Sequence, residues 1–126
     1  EYGIQVALEN LPQTKSFAFG EKVVDSVCSL PEEFIRYLDA LDSEWFTACL
    51  DIGHAMITGH NPESFIHALG KERLTALHVH DNNGLRDWHT LPYHGGMADW
   101  DKIMKALRDI GYTGDLTFEA GIATIC

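Results

Sequence analysis

Strand-type and helix-type apolar periods alternate along this chain, and that alternation leaves few folds open. Ile4–Glu9, Phe46–Asp51, Leu74–His80 and Leu116–Glu119 read as short strands. Between them lie helix signals. Ser29-Leu30-Pro31-Glu32 has the form of a capping box with an early proline, and Phe34, Leu38 and Leu41 then recur at helical spacing. Asn61-Pro62 opens a shorter helix with Phe65, Ile66 and Leu69, which Gly70 stops. Asp99 caps a helix carrying Trp100, Ile103, Met104, Leu107 and Ile110, with Gly111 just past its end. A βαβαβαβ order implies an α/β fold with a parallel sheet and right-handed crossovers. Residues 1–126 form one domain, with no linker or low-complexity tract. Two connections are long: the polar, glycine-containing stretch through Phe17–Gly20, and Asn82–Ala98. The second exceeds an ordinary βα connection, and such loops are usually functional or mobile.

Each strand ends in the same way. Side chains alternate faces along a strand. Ile4, Val6 and Leu8 oppose Gln5, Ala7 and Glu9, and Phe46, Ala48 and Leu50 oppose Thr47, Cys49 and Asp51. Leu77 and Val79 oppose Ala76, His78 and His80, and Leu116 and Phe118 oppose Thr117 and Glu119. One face is apolar and suits packing under helices. The other is small or polar and finishes in Glu, Asp, His and Glu. In a parallel β/α barrel that second face points inward, and the C-terminal strand ends form the active site. Glu9, Asp51, a histidine of the His78/His80 pair and Glu119 therefore converge. Three carboxylates and an imidazole brought together there call for a balancing cation. The oxygen-rich set suits Mn²⁺, Mg²⁺ or Co²⁺, with Zn²⁺ also compatible. Taken singly, each residue has a plainer reading. Asp51 or Glu9 would be a helix cap or turn residue, His78 or His80 a hydrogen-bonded interior histidine, and Glu119 a salt-bridge partner. The shared facing is what distinguishes them.

A second set surrounds this one. His54 follows Asp51 by one helical turn, and Asp87 and His89 flank Trp88 in the long loop. These residues suit a second metal ion or the hydroxyls of a polyol, and Arg86 is a candidate for substrate oxygens. Phe17, Phe19, Trp88 and Tyr93 are candidates for the wall of a sugar pocket, whereas Trp100 reads as core. His60, His67 and His94 join no constellation.

The formal net charge of −10 argues against general binding to phosphate backbones. No apolar run approaches the roughly 18–20 residues needed to cross a bilayer, and the start has no signal-peptide pattern. Cys28, Cys49 and Cys126 lack metal-type spacing and read as reduced thiols of a cytoplasmic protein. The absence of an initiator Met suggests a piece of a longer chain.

The motifs Ala7-Leu8-Glu9-Asn10, Cys49-Leu50-Asp51-Ile52-Gly53-His54-Ala55, His78-Val79-His80-Asp81-Asn82, Asp87-Trp88-His89 and Leu116-Thr117-Phe118-Glu119 resemble the xylose-isomerase-like TIM barrel superfamily. That superfamily includes ketose 3-epimerases, sugar-phosphate isomerases, inosose dehydratases and abasic-site endonucleases of the endonuclease IV type (AP endonuclease family 2). Pro92-Tyr93-His94-Gly95-Gly96 stands where many members carry a Pro-Gly-x-Gly turn. The resemblance covers the chain and corresponds to the last four strands of the eight-stranded barrel, without its final helix. It implies Glu9, Asp51, one strand histidine and Glu119 as metal ligands, with His78 favoured and His80 as a substrate contact. It implies His54 as a substrate-contacting or second-metal histidine.

The expected function is metal-dependent isomerisation or epimerisation of a sugar or sugar phosphate. Glu9 and Glu119 would exchange a proton on opposite sides of a carbon next to a carbonyl, while His54, His80 and Arg86 fix hydroxyls. An abasic-site DNA hydrolase using zinc is the enzymatic alternative, and a metal-binding half-barrel without activity is the non-catalytic one. Two open sheet edges favour a homo-oligomer, or a partner half carried by a longer chain.

Overall fold

The computed structural model describes residues 2–12, 14–16, 22–24 and 26–121. The main sheet contains β1 (Val6–Glu9), β4 (Phe46–Asp51), β5 (Leu74–Val79) and β6 (Thr117–Phe118), in that order and parallel throughout. A two-stranded antiparallel hairpin, β2 (Thr14–Ser16) with β3 (Lys22–Val24), precedes α1 (Pro31–Leu41). Helices α2 (Ile52–Ile57) and α3 (Pro62–Arg73) connect β4 to β5, and α4 (Trp100–Ile110) connects β5 to β6. The expected α/β alternation is present.

The alternation of faces holds along the central strands. Ala48 and Leu50 of β4 and Leu77 and Val79 of β5 join the buried core with Phe34, Leu38, Phe65, Ile66, Leu69, Ile103 and Leu107 from the helices. Apart from Ala48, each of these side chains contributes about 1.5–3 kcal/mol through removal from water. Helix α3 packs between α1 and α4 on that one side of the sheet. Thr47, Cys49 and Asp51 lie on the other face, outside the apolar cluster.

Several local expectations need correction. The N-cap of α1 is Leu30, with no side-chain cap bond, and the buried Ser29 hydroxyl has no hydrogen-bond partner among the described residues. The carboxylate that reaches back is Glu33, which accepts from the Cys28 amide at 3.0 Å. The expected capping box at Ser29–Glu32 therefore does not form: with Pro31 at the first helical position the N-cap falls on Leu30, which has no side-chain acceptor. Gly70 interrupts α3 (φ 66, ψ 177), but a further turn to Arg73 follows it. Asp99 does cap α4, accepting from the Lys102 amide at 3.1 Å, and Gly111 closes it at φ 72. The outer strands are shorter than their apolar patterns suggested, because β1 and β6 each pair on one side only. Helix α2 and the hairpin were not anticipated.

Among the described residues the sheet does not close. Val6 on β1 is 50% exposed and Phe118 on β6 is 56% exposed. Beside β6 an apolar groove of about 160 Å³ is lined by Val79, Ile103, Met104, Leu107, Leu116 and Phe118. No described helix is long and apolar enough to cross a membrane.

Candidate metal centre

Asp51 anchors the site. It is the last residue of β4 and the N-cap of α2, where its Oδ1 accepts from the His54 amide at 2.7 Å. A fully buried asparagine holds its backbone: Asp51 N donates to Asn10 Oδ1 (2.7 Å), and Asn10 Nδ2 donates to Asp51 O (2.9 Å). His80 Nε2 donates to both carboxylate oxygens at 3.0 and 3.1 Å. Burial alone would raise the Asp51 pKa, but the hydrogen bonds from His80 and His54 outweigh it and hold the group below the usual carboxylate range. The plain reading of Asp51 as a helix cap is therefore correct, and its second oxygen remains available to the cluster.

That cluster gathers on His78. Its Nδ1 lies 3.2 Å from Glu9 Oε1, 3.5 Å from Glu119 Oε1 and 3.8 Å from Asp51 Oδ2. Parallel register explains the convergence: Asp51 is level with His78, and Glu119 follows the β6 residue paired with Val79. Glu9, Asp51 and His78 each offer a ligand atom within 4.8 Å of the others. One imidazole N–H can satisfy one carboxylate. Three converging on it, with Asp51 wholly buried, leave negative charge that a divalent ion would balance. One nitrogen and carboxylate oxygens also form a donor set that such ions accept. The residues present fit a metal.

A second group centres on Asp87. Its Oδ2 lies 3.4 Å from His54 Nε2 and 3.0 Å from His89 Nε2, and its Oδ1 lies 3.7 Å from His80 Nε2. The far nitrogen of each outer histidine faces a backbone carbonyl. His54 Nδ1 is 2.9 Å from Asn10 O, and His89 Nδ1 is 2.6 Å from Glu119 O. Only a protonated Nδ1 can bond a carbonyl, so each neutral ring turns an Nε2 lone pair toward Asp87.

The long loop that carries Asp87 and His89 is tied down by Asp81. This buried carboxylate accepts from the amides of Asn82 (2.8 Å) and Ala98 (3.1 Å) and from Trp100 Nε1 (2.8 Å). Its own backbone pairs with Thr90 in both directions. A Cβ at Gly96 would lie 2.0 Å from Asp81 Cγ, so the loop closes tightly there.

Other candidates stand apart. Arg86 is exposed and makes no ion pair among those described. Trp88 is exposed, and Tyr93 lines the apolar groove beside β6 rather than the cluster. Phe17, Phe19 and Cys126 lie outside the described residues. His80 has no solvent exposure, so it lies beneath the cluster instead of on the face a substrate would reach. A cavity of about 270 Å³ lined by Met56, His60, Glu63, Asp99 and Lys102 is separate from the cluster. Sequence reasoning assigned no role to Asn10, Gly53, Asp81 or Asn82. Their signal was small or polar residues directly beside strand ends.

The family model described as xylose isomerase-like TIM barrel matches residues 1–123. The chain is 31% identical over 121 residues to the uncharacterized protein MJ1311 of Methanocaldococcus jannaschii, covering 94% of this chain and 38% of that protein. It is 34% identical over 119 residues to the uncharacterized protein y4fM of Sinorhizobium fredii, covering 94% and 34%. The chain thus spans little more than a third of these relatives. Among solved structures, a D-tagatose 3-epimerase-like protein superposes with a TM-score of 0.79 at 29% identity, over 98% of this chain and 43% of that one. The 3-keto-D-glucoside 4-epimerase YcjR of E. coli shares the fold, with a TM-score of 0.71 at 22% identity over 95% and 40%.

Proposed function

The chain belongs to the xylose isomerase-like TIM barrel family, and from that premise we propose that it carries the metal centre and acid–base pair of a sugar or sugar-phosphate epimerase or isomerase. The observation that carries this reading is the placement of Glu9 and Glu119. Both carboxylates approach the same His78 nitrogen, at 3.2 and 3.5 Å, from opposite edges of the sheet.

Glu9, Asp51, His78 and Glu119 would hold one divalent ion, Mn²⁺, Mg²⁺, Co²⁺ or Zn²⁺. When bound, it supplies polarisation of a substrate carbonyl and the neighbouring hydroxyl. The proton work falls to the chain. One glutamate removes the proton from the carbon beside the carbonyl, and the other delivers a proton to the opposite face, which inverts that centre. General acid–base catalysis of this kind contributes about 10²–10⁴-fold. Glu9 and Glu119 are partly exposed, at 31% and 38%, on the open face where a sugar would arrive. His54, Asp87 and His89 stand beside them to receive hydroxyls or a second cation. The remainder of the barrel would enclose the substrate, so metal binding needs less of the protein than turnover does. The similarity of a solved D-tagatose 3-epimerase-like protein supports a small sugar as substrate.

The test is solvent exchange of the substrate α-proton in the full-length, metal-loaded protein. Glu119→Gln should abolish exchange with bound metal retained; unchanged exchange removes Glu119 from the mechanism. The Asp87 cluster favours a second reading, a multi-zinc hydrolase of abasic DNA. Three zinc ions per site with nicking of abasic DNA would establish that reading, against which the charge of −10 counts.

A further inference from the structure

We propose that His80 is a positioning residue for the metal centre: it fixes the rotation of the Asp51 carboxylate, and Gly53 is the fixed-size seat that makes this possible. The inference rests on the metal reading above and adds a role for two residues.

His80 is fully buried, and its Nε2 reaches both Asp51 oxygens at 3.0 and 3.1 Å. A carboxylate has only lone pairs to offer, so Nε2 carries the ring proton. His80 Nδ1 has no partner among the described residues. In this tautomer it is a bare lone pair, whereas the opposite tautomer would strand a proton there and set a lone pair against Asp51. The ring is held on two sides. It stacks on His89 at 4.0 Å between centroids with 7° between planes, and the edge of His54 meets it at 6.0 Å and 78°.

Gly53 closes the remaining side. A Cβ there would sit 2.0 Å from His80 Cε1 and 2.5 Å from Nδ1, far inside contact distance. Its conformation needs no glycine, since φ lies outside the left-handed range. The requirement is space for the imidazole.

The consequence concerns Asp51. Oδ1 is engaged by the His54 amide as well as by His80, while Oδ2 is the oxygen 3.8 Å from His78 Nδ1. His80, bridging both oxygens at 3.0 and 3.1 Å, therefore fixes the plane of the carboxylate, and the His54 amide on Oδ1 leaves Oδ2 as the oxygen toward His78. Hydrogen bonds that orient a ligating group typically change metal affinity by about 10–100-fold.

The experiment measures Co²⁺ affinity and the Co²⁺ absorption spectrum of the metal-depleted full chain, with thermal melts to confirm folding. His80→Phe keeps a planar ring but no donor and should weaken binding about 10–100-fold. His80→Gln keeps a donor and should recover most of the affinity, with the wild-type spectrum retained. Gly53→Ala should weaken binding in the same direction, and combining it with His80→Phe should add little more. In the metal-free wild type, NMR should show the proton on His80 Nε2. Wild-type affinity in His80→Phe overturns the proposal and leaves the metal reading intact, as does an altered Co²⁺ spectrum in His80→Gln, which would make His80 a ligand. Failure of the wild type to bind Co²⁺, with His78→Ala no different, overturns both.

Discussion

His89 Nδ1 lies 2.6 Å from the backbone carbonyl of Glu119, and this bond joins the long loop to the end of β6. The Gly121 amide returns the link by donating to His89 O at 3.0 Å. The bond directs His89 Nε2 toward Asp87, and His54 is arranged likewise through Asn10 O. Burial disfavours the His89 cation, but the bonds to the Glu119 carbonyl and the Asp87 carboxylate outweigh it and raise the pKa. A proton there can stand in for a second metal ion. Titration with Zn²⁺ at pH above the His89 pKa should therefore reveal a weaker second equivalent. Asp87→Ala should remove that equivalent and leave the first, and His78→Ala should remove the first. Calorimetric titration of the three proteins checks this; a single equivalent in the wild type that Asp87→Ala leaves unchanged assigns the cluster to hydroxyls.

The loop from Asn82 to Ala98 is held by one carboxylate. Asp81 accepts from two amides and from the Trp100 indole while fully buried. Asp81→Ala strands those donors, each at about 1–3 kcal/mol. The variant should lose at least about 2 kcal/mol in urea unfolding, and protease cleavage should appear within residues 83–95. Gly96→Ala should act in the same direction through its clash with Asp81. Unaltered proteolysis would mean that the loop is ordered by other contacts.

The parts of this molecule written in short-range pattern could be read from sequence. Strand alternation placed Leu50 and Leu77 in the core and Asp51 and His78 on the opposite face. The cap at Asp99 and the stop at Gly111 are likewise local signals. Choosing between His78 and His80 was beyond periodicity, because residues two apart on a strand share a face. The two differ in the folded chain: β5 ends at Val79, and His80 is fully buried beside Gly53 while His78 is partly exposed. Helix α2 was missed because its six residues carry no full apolar period and its cap was already read as a ligand. Asn10 and Asp81 were missed because a polar residue at a strand end looks alike whether it meets solvent or a buried amide.

Two thiols report on the fold from inside it. Cys28 is pushed up to about 11 by burial and then by the neighbouring Glu33 carboxylate; Cys49 rises to about 12 through burial and the Glu9, Asp51 and Glu119 carboxylates. Both are neutral at pH 8, so iodoacetamide should modify neither in the native chain and both after unfolding. The folded pKa values exceed the ordinary 9.0, so the folded state favours the protonated thiols. Their contribution is complete below pH 9 and declines as pH rises through 11 and 12. For Cys28 it is on the order of 2 kcal/mol. Cys28→Ala should flatten the alkaline arm of the stability profile, measured by urea unfolding between pH 8 and 11.

The sheet edges make a final prediction about association. Among the described residues, strands β1 and β6 each present an unpaired side, and unpaired edges recruit other strands. Phe118 and Leu116 add exposed apolar surface beside β6, at 56% and 41%, and Val6 and Ile4 do so at β1, at 50% and 70%. Pairing β6 of one copy with β1 of another would cover both edges and much of that surface. At tens of micromolar the isolated chain should scatter light above its monomer mass of 14.1 kDa. Phe118→Lys places a charge on the groove and should return it toward monomer, while Met104→Lys on the helix side of the same groove should do so less. Far-UV circular dichroism should be unchanged in both. A monodisperse monomer in the wild type at that concentration would show that the open edges are protected within the chain itself.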